Sequence, residues 1–253
     1  MSTTNDQPDV DVTRTPAMVH LGVADADRAM EFYGPLFDWE AERIEYRGHI
    51  RHYVYNTVNV VPCITDEVDA PPLQLGFTVD DVPATARLVT ELGGVVVDDE
   101  STPDGGGFLQ VRDTQGVPLA LWRESGEHHE HAPITKPGPA DLTYFMIRLP
   151  DAERGARFFG ELLGWRFDRD PEIDYFHVDD HVQPVAMGIA GAATGAEVGC
   201  YFRVADVEAA RARVLELGGA AGETFEMGPL TAADCTDDQG HAFGIAELHP
   251  HAD

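Results

Sequence analysis

The stretch EFYGPLFDW, residues Glu31–Trp39, decides the fold, because a near-copy, RFFGELLGW, occupies Arg157–Trp165. Both copies place two aromatic residues before a glycine and a tryptophan five residues after it. The glycine permits the chain to leave helical geometry, and Pro35 disfavours a helix interior. Each copy therefore predicts a corner where an amphipathic helix, anchored on a sheet by its aromatic pair, gives way to a strand.

The repeat extends well beyond this corner. LGVADADRAMEFYGPLFDW aligns with IRLPDAERGARFFGELLGW at an offset of 126 residues, which matches Asp25 to Asp151. FTVDDVPATARLVTELGG then aligns with FRVADVEAARARVLELGG, and RDTQGVPLALW with TDDQGHAFGIA, while the offset falls only to 124. Three motifs repeated in order predict a tandem duplication. The predicted organisation is a loose tail over 1–15, a first domain over 16–123, a His-, Pro- and Gly-rich linker over 124–139, and a second domain over 140–249.

Each copy divides again into two similar halves. Alternating apolar residues predict strands, and the 3.6-residue periodicity between them predicts one helix per half. In the first copy the predicted helices are Asp27–Leu36 and Val82–Leu92. The predicted strands are AMVHLGV, LQLGFTV and the runs near 42–46, 51–58, 60–65, 95–98, 108–112 and 119–122. An acidic residue precedes each helix, where it accepts the free N–H groups of the first turn. The expected fold class is α+β, with four βαβββ modules.

The composition excludes several classes of function. The 253 residues include 45 acidic and 17 basic ones, a formal net charge of -28, which disfavours nucleic acid and anionic membrane surfaces as partners. The acid excess fits salt adaptation, whereas coding bias explains the preference for arginine over lysine. The three scattered cysteines contain no CxxC motif and are expected to be ordinary buried thiols. No apolar run spans a bilayer and no signal peptide is evident, so a cytoplasmic location is expected.

Together these motifs resemble the vicinal oxygen chelate superfamily, over nearly the whole chain from Pro16 to Leu248. The superfamily includes glyoxalase I, extradiol dioxygenases and bleomycin-type antibiotic-binding proteins, and the closest resemblance is to bacterial tandem glyoxalase-like proteins. It implies two glyoxalase-like domains related by a pseudo-twofold axis, each with a cup between paired modules. One chain is then sufficient to form both cups, and the protein is expected to be either a monomer or a homodimer.

The resemblance also implies positions for metal ligands, which are His, Gln or Glu in the superfamily's metalloenzymes. Carried over residue by residue, these positions are Met18, Cys63, Gln74 and Ala120 in the first domain and Tyr144, Gly188, Gly199 and Gly244 in the second. Only Gln74 carries a ligand of the expected kind. Because a catalytic divalent ion needs roughly three protein ligands, no metal and no other cofactor is expected.

The remaining residues at cup positions are mainly aromatic, Met or His. The candidate ligand-binding residues are Met18, His20, Tyr53, Tyr55, Gln74 and Trp122 in the first domain and Tyr144, Met146, Tyr175, His177, Met187 and Tyr201 in the second. His20 is either a displaced ligand or general base, or a hydrogen-bonded core histidine. Many of the aromatic and Met residues are alternatively plain sheet core. The tract His128–His131 is read as adventitious metal binding, and Pro103–Phe108 as either a loop over the cup or a simple turn.

Such a lining suits a planar organic molecule held by stacking and a few hydrogen bonds. The expected function is metal-independent binding of a small aromatic molecule, either by an antibiotic-binding type of protein or by a metal-free enzyme of secondary metabolism. The alternative is a metal-dependent lyase, isomerase or dioxygenase whose ligands have moved to His20, Gln74 and Cys63. The residues leave open whether the protein is an enzyme.

Overall fold

The computed structural model describes residues 16–58, 60–123, 138–179 and 185–249. The expected tail over 1–15 and the tract His128–His131 lie outside the described residues, as does most of the expected linker. All three cysteines are free and buried, as expected. None of the helices in the described residues has the length and apolar character needed to cross a bilayer.

Within the described residues, the first half of the chain forms eight strands and two helices. They are β1 (Pro16–Gly22), α1 (Ala26–Phe37), β2 (Ala41–Tyr46), β3 (His49–Val54), β4 (Val61–Thr65), β5 (Leu73–Thr78), α2 (Val82–Glu91), β6 (Val95–Asp99), β7 (Gly107–Arg112) and β8 (Pro118–Arg123). This order is βαβββ twice, as the sequence predicts.

The second half repeats the plan with one additional short strand. Its elements are β9 (Leu142–Arg148), α3 (Ala152–Leu163), β10 (Phe167–Arg169), β11 (Tyr175–Val178), β12 (Ala186–Ala190), β13 (Glu197–Arg203), α4 (Val207–Glu216), β14 (Ala220–Ala221), β15 (Phe225–Met227), β16 (Leu230–Thr236) and β17 (Ala242–Leu248). The expected α+β class with four βαβββ modules is confirmed.

Each half forms one mixed sheet. The first has the strand order β2-β3-β4-β1-β5-β8-β7-β6, and the second has β10-β11-β12-β9-β13-β17-β16-β14, with β15 paired to β16. Strands β1 and β5 meet antiparallel at the centre of the first sheet, as β9 and β13 do in the second. Because two modules lie side by side in each sheet, each cup is built within a single sheet of a single chain.

The four helices begin in the same way. The side chains of Asp25, Asp81, Asp151 and Asp206 each accept a hydrogen bond from the backbone N–H three residues later, at 2.7–3.0 Å. Such caps satisfy one of the orphan donors of a first turn and place negative charge at the positive end of the helix. The acidic residue before each predicted helix is thereby explained.

The corner of the opening motif lies just beyond Leu36, where the predicted helix ends. Helix α1 continues through Gly34 and Pro35 and ends at Asp38, which adopts a left-handed conformation at φ 57. In the second copy Gly164 takes the same role at φ 68. Gly34 instead provides close packing, because a β-carbon there would lie 3.2 Å from the methyl group of Met30.

The aromatic residues of the repeated motif join the two halves of the chain. Phe37 packs 5.3 Å from Phe202, measured between ring centroids, and Trp39 packs 5.1 Å from the same ring. On the other side Trp165 lies 5.6 Å from Phe77. Each copy packs on the sheet of its own half, and its aromatic residues also reach the sheet of the opposite half, so one continuous apolar core joins the two halves.

Two glutamines tie the halves together in a reciprocal way. Gln239 accepts from the backbone N–H of Asp25 and donates to its carbonyl, at 2.8 and 2.9 Å. Gln115 makes the same pair of bonds with Asp151, at 2.9 and 2.8 Å. The repeated DTQG and DDQG motifs therefore provide matching contacts about a pseudo-twofold axis.

Candidate functional site

The first cup encloses a cavity of about 720 Å³. Its floor is formed by Met18, His20, Gln74 and Trp122. One wall comes from the β2–β3 hairpin and the other from β6 and β7, so each module supplies one wall. Aromatic rings stand on both walls, Tyr46 on the first and Phe108 on the second.

Four polar or polarisable side chains form a row across the floor. Tyr53 pairs with Cys63, Cys63 with His20, and His20 with Gln74, on the adjacent strands β3, β4, β1 and β5. Residues paired in this way share a face of the sheet, and neighbouring strands lie about 4.8 Å apart. Three residues distant in sequence, Cys63, His20 and Gln74, are thereby brought to one level of the cup.

The imidazole of His20 is neutral at physiological pH. Its pKa is lowered to about 4, because burial disfavours the charged form and the guanidinium of Arg51 adds repulsion. Its Nε2 atom is shielded from solvent and has no hydrogen-bond partner among the described residues. An unmade buried hydrogen bond costs free energy, so this atom is a candidate contact for a ligand.

Arg51 supplies the one partly buried guanidinium on the cup surface described here. It donates to Glu67 at 2.6 Å and lies 4.4 Å from the ring centroid of Tyr46. Its Nη1 is 3.5 Å from the Tyr53 hydroxyl, while its Nε is buried and without a partner. The arginine is therefore held in place and neutralised, with one donor left for an uncharged acceptor.

An ion pair joins the two walls at the rim. Arg47 lies at the turn between β2 and β3 and donates to Glu100, beyond the end of β6, at 3.0 Å. The carboxylates of Glu67, Asp69, Asp98 and Glu100 outnumber the guanidiniums of Arg47 and Arg51 on the cup surface. This excess favours neutral or cationic ligands over anions.

The floor of the second cup is covered by tyrosine rings. The hydroxyls of Tyr144 and Tyr175 hydrogen-bond to each other, and Tyr201 donates to Asp234 at 2.7 Å. The Tyr175 hydroxyl and the Tyr201 ring occupy the space that β-carbons at Gly188 and Gly244 would fill. Burial raises the pKa of Tyr144 and of Tyr201 well above the ordinary value. These hydroxyls therefore stay protonated and act as structural donors.

At equivalent positions, one cup has a large residue where the other has a small one. In the first, the Trp122 ring lies over Gly76, where a β-carbon would be 2.6 Å from Cζ3. In the second, Tyr201 stands at the position equivalent to Gly76 and covers Gly244. The first arrangement leaves His20 and Gln74 facing the cavity, whereas the second closes over the positions equivalent to the superfamily's ligands.

Most of the candidate residues lie on the cup faces, and two do not. The candidates on the cup faces are Met18, His20, Tyr53, Gln74 and Trp122 in the first cup and Tyr144, Met146, Tyr175, His177 and Tyr201 in the second. Tyr55 is a correction, because it follows the end of β3, is 64% exposed and donates to Glu40 at 2.9 Å. Met187 is a second correction, because it pairs with Phe145 and packs in the core on the helix side.

Several cup residues were not among the sequence candidates. Arg51, Tyr46 and Phe108 line the first cup, and Arg51 alternates with Tyr53 on β3, a period-2 signal that places both on one face. Within the Gly-rich stretch Pro103–Phe108, Phe108 faces the cup, whereas the loop ahead of it is held by hydrogen bonds away from the cavity. The carbonyl of Gly105 accepts from the N–H of Val82 at the start of α2 at 3.0 Å, and the carbonyl of Asp104 accepts from Arg123 at the end of β8 at 3.2 Å.

The superfamily's metal positions do not fit a divalent ion in this chain. Ala120 has no ligand atom, Met18 offers a thioether, and burial raises the pKa of the Cys63 thiol to about 11, which opposes the thiolate form. In the second cup three of the four positions are glycines. The described residues contain no group of three or more His, Cys, Asp or Glu placed to hold a metal.

A second cavity, of about 940 Å³, extends from the floor of the second cup, where Met146, Gly199, Tyr201 and Gly244 line it, to the seam between the two halves. It is lined by Pro71 and Pro118 from the first half and by Val198 and Phe243 from the second. Although it is larger, none of the buried unpartnered polar atoms of the described residues lines it. The first cup, which holds two of these atoms, is the better candidate site.

The fold and the two cups define a tandem glyoxalase-like protein. A family profile described as Glyoxalase-like domain matches residues 18–122 and again residues 144–246. The chain belongs to this family, and the expected resemblance to the vicinal oxygen chelate superfamily is confirmed. Among curated proteins, no sequence matches the chain.

Solved structures with the same fold share little sequence with this chain. The 2,3-dioxygenase LapB from Pseudomonas sp. KL28 is similar with a TM-score of 0.65 at 14% identity, over 94% of each chain. The Mn(II)-bound glyoxalase from Novosphingobium aromaticivorans has a TM-score of 0.62 at 16% identity, over 92% of this chain and 81% of that one. A mutant of 4-hydroxymandelate synthase from Streptomyces coelicolor has a TM-score of 0.63 at 12% identity, over 94% of this chain and 93% of that one. At these identities the likeness shows the fold alone.

Proposed function

We propose that the protein binds a small, planar, neutral or cationic aromatic molecule in its first cup without a metal ion. It acts either as a sequestering binder of the antibiotic-binding type or as a metal-free enzyme of secondary metabolism. The observation that carries the proposal is the open cavity of about 720 Å³ that combines aromatic rings with the unpartnered polar atoms of His20 and Arg51.

The lining supports useful affinity. Burying about 200 Å² of apolar ligand surface between Tyr46, Phe108 and Trp122 contributes on the order of 5 kcal/mol before association costs. Stacking against these rings adds selectivity for flat molecules. The excess of carboxylates at the rim disfavours phosphorylated ligands.

Tryptophan fluorescence tests the proposal directly. Trp39 and Trp165 are each 4% exposed in the core, whereas Trp122 lines the cup. Titration with aromatic metabolites and antibiotics is expected to change the emission saturably, with affinity unchanged by chelators, and Trp122→Phe is expected to remove the response. Binding only of small anionic thiol adducts or phosphorylated compounds, and only with added metal, would contradict the proposal.

A second candidate function is metal-dependent lyase, isomerase or dioxygenase chemistry with displaced ligands. The row of Cys63, His20 and Gln74 favours it, because the three side chains share one level of the cup. The neighbours named as dioxygenases and as a Mn(II)-bound glyoxalase add a precedent on this fold.

Elemental analysis separates the two candidates. Untagged protein dialysed against a weak chelator is expected to contain well under one tightly bound zinc, nickel, iron or manganese ion per chain. One tight ion per chain that is lost in His20→Ala would favour the metal-dependent candidate over the first.

A further inference from the structure

We propose that Gln74 and His20 form a recognition site for an amide-type edge, a hydrogen-bond donor beside an acceptor on one side of a planar ligand. Lactams, carboxamides and aminated nitrogen heterocycles present such an edge. The inference rests on the proposed binding of a planar molecule in the first cup, and it adds the group by which that molecule is selected.

Gln74 is a buried carboxamide whose side chain makes no hydrogen bond within the described part of the chain. It is 5% exposed, faces the cavity, and has no hydrogen-bond partner among the described residues. A carboxamide carries an acceptor oxygen and donor hydrogens side by side, so its complement is an edge with the opposite order. Gln and Asn side chains read adenine by this geometry, through one accepted and one donated bond.

His20 stands directly beside Gln74 on the next strand. The two residues pair across β1 and β5, where opposite β-carbons are about 5 Å apart, so one small group of a ligand can reach both side chains. A neutral imidazole has one donor and one acceptor nitrogen, and the shielded Nε2 atom has no partner in the described structure. His20 thus adds a third hydrogen bond to an uncharged group.

The surrounding charges select against a carboxylate in the same place. Arg51, the nearest cation, already donates to Glu67 at 2.6 Å, and its remaining Nε donor suits a carbonyl oxygen. A carboxylate would lose hydration without gaining an unpaired cation. In the second cup the positions equivalent to Gln74 and His20 hold Gly199 and Met146, so this recognition belongs to the first cup alone.

Calorimetric titration with three matched probes tests the inference: naphthamide, N,N-dimethylnaphthamide and naphthoate. Naphthamide presents the full edge, the dimethyl compound lacks the donor, and naphthoate is anionic. We expect naphthamide to bind at least about 10-fold more tightly than either, as two to three buried hydrogen bonds imply. Gln74→Leu is expected to bring naphthamide and its dimethyl analogue to within about twofold, whereas the second-cup control Tyr201→Phe keeps the preference.

The outcomes distinguish this inference from the proposed function. If all three probes bind equally, or if Gln74→Leu leaves the preference unchanged, the amide-edge site is wrong while aromatic binding stands. If none of the probes binds, both are wrong. Should Gln74→Leu fail to fold, the ranking of the probes on the wild-type protein, together with Gln74→Asn, decides the matter.

Discussion

The floors of the two cups have the same strand order, but polar side chains face the cavity in the first and tyrosine rings cover the floor in the second. In the first, Trp122 lies to one side over Gly76 and leaves His20 and Gln74 open to the cavity. In the second, Tyr175 and Tyr201 lie over Gly188 and Gly244. Glycine at a ligand position therefore does not leave that position exposed, because it makes room for an aromatic side chain. After duplication, one floor kept polar side chains facing its cavity, and the other was covered by buried tyrosine rings.

The largest effect is expected from removing an aromatic ring from each floor. Tyr201→Ala should lower the free energy of unfolding by about 3 kcal/mol, because the ring is 3% exposed and its loss leaves a cavity. Trp122→Ala should cost less stability, about 1–2 kcal/mol, since this ring is partly exposed, and should instead weaken aromatic binding about 10-fold or more. Urea denaturation and calorimetric titration of both variants provide the measurements. Equal stability losses, or loss of binding in Tyr201→Ala alone, would break the comparison.

The first cup, through His20, should also make the stability of the protein depend on pH, whereas Met146 at the equivalent position of the second cup should not. The folded-state pKa of His20 is about 4 against 6.5 for the free side chain. The unfolded state therefore takes up this proton first, and stability falls as the pH is lowered from about 6.5 to 4. His20 contributes up to about 3 kcal/mol to this loss.

His20→Asn isolates that contribution, because other titrating groups are shared with the wild type. Between pH 6.5 and 4, the free energy of unfolding of this variant is expected to fall by about 3 kcal/mol less than that of the wild type. Met146, the equivalent residue of the second cup, does not titrate, so Met146→Leu serves as a control with the wild-type profile. Parallel curves for wild type and His20→Asn would show that His20 is not held neutral.

A smaller effect on stability is expected from substitutions where α1 and α3 contact the opposite half of the chain. Tyr33 donates to Asp237 at 3.1 Å, whereas Phe159 stands at the equivalent position and leaves the buried Oδ2 of Asp113 without a partner. Phe159→Tyr should therefore gain about 1 kcal/mol of stability, and Tyr33→Phe should lose a similar amount. Thermal denaturation of both variants measures this. A destabilised Phe159→Tyr would mean that the two corners are not equivalent.

The sequence predicts the fold well, because the duplicated motifs carry local signals. The helix N-caps and the alternation of the strands place most elements within about two residues. The prediction is wrong where a distant contact decides the outcome. Strand β3 was expected to reach Val58 but ends at Val54, and the backbone N–H of Val58 is instead bound by Asp141 at 2.7 Å.

The sequence predicts the candidate site less completely. Strand alternation identifies His20 and the superfamily resemblance identifies Gln74, but their pairing with each other and with Cys63 depends on the register between β1, β4 and β5. Met187 was assigned to the wrong face, because its run, AMGIA, is apolar on both sides. The filling of the second cup has a signal that was available: glycines at 188 and 244 coincide with tyrosines on adjacent strands.

A crystal structure of the protein soaked with naphthamide tests the central claim most directly. We expect electron density for one molecule in the first cup, between Trp122 and Tyr46 with its amide toward Gln74, and unmoved tyrosines in the second cup. Density over Gly188 or Gly244 with Tyr175 or Tyr201 displaced would contradict it. So would a probe held in the seam cavity while the first cup stays empty.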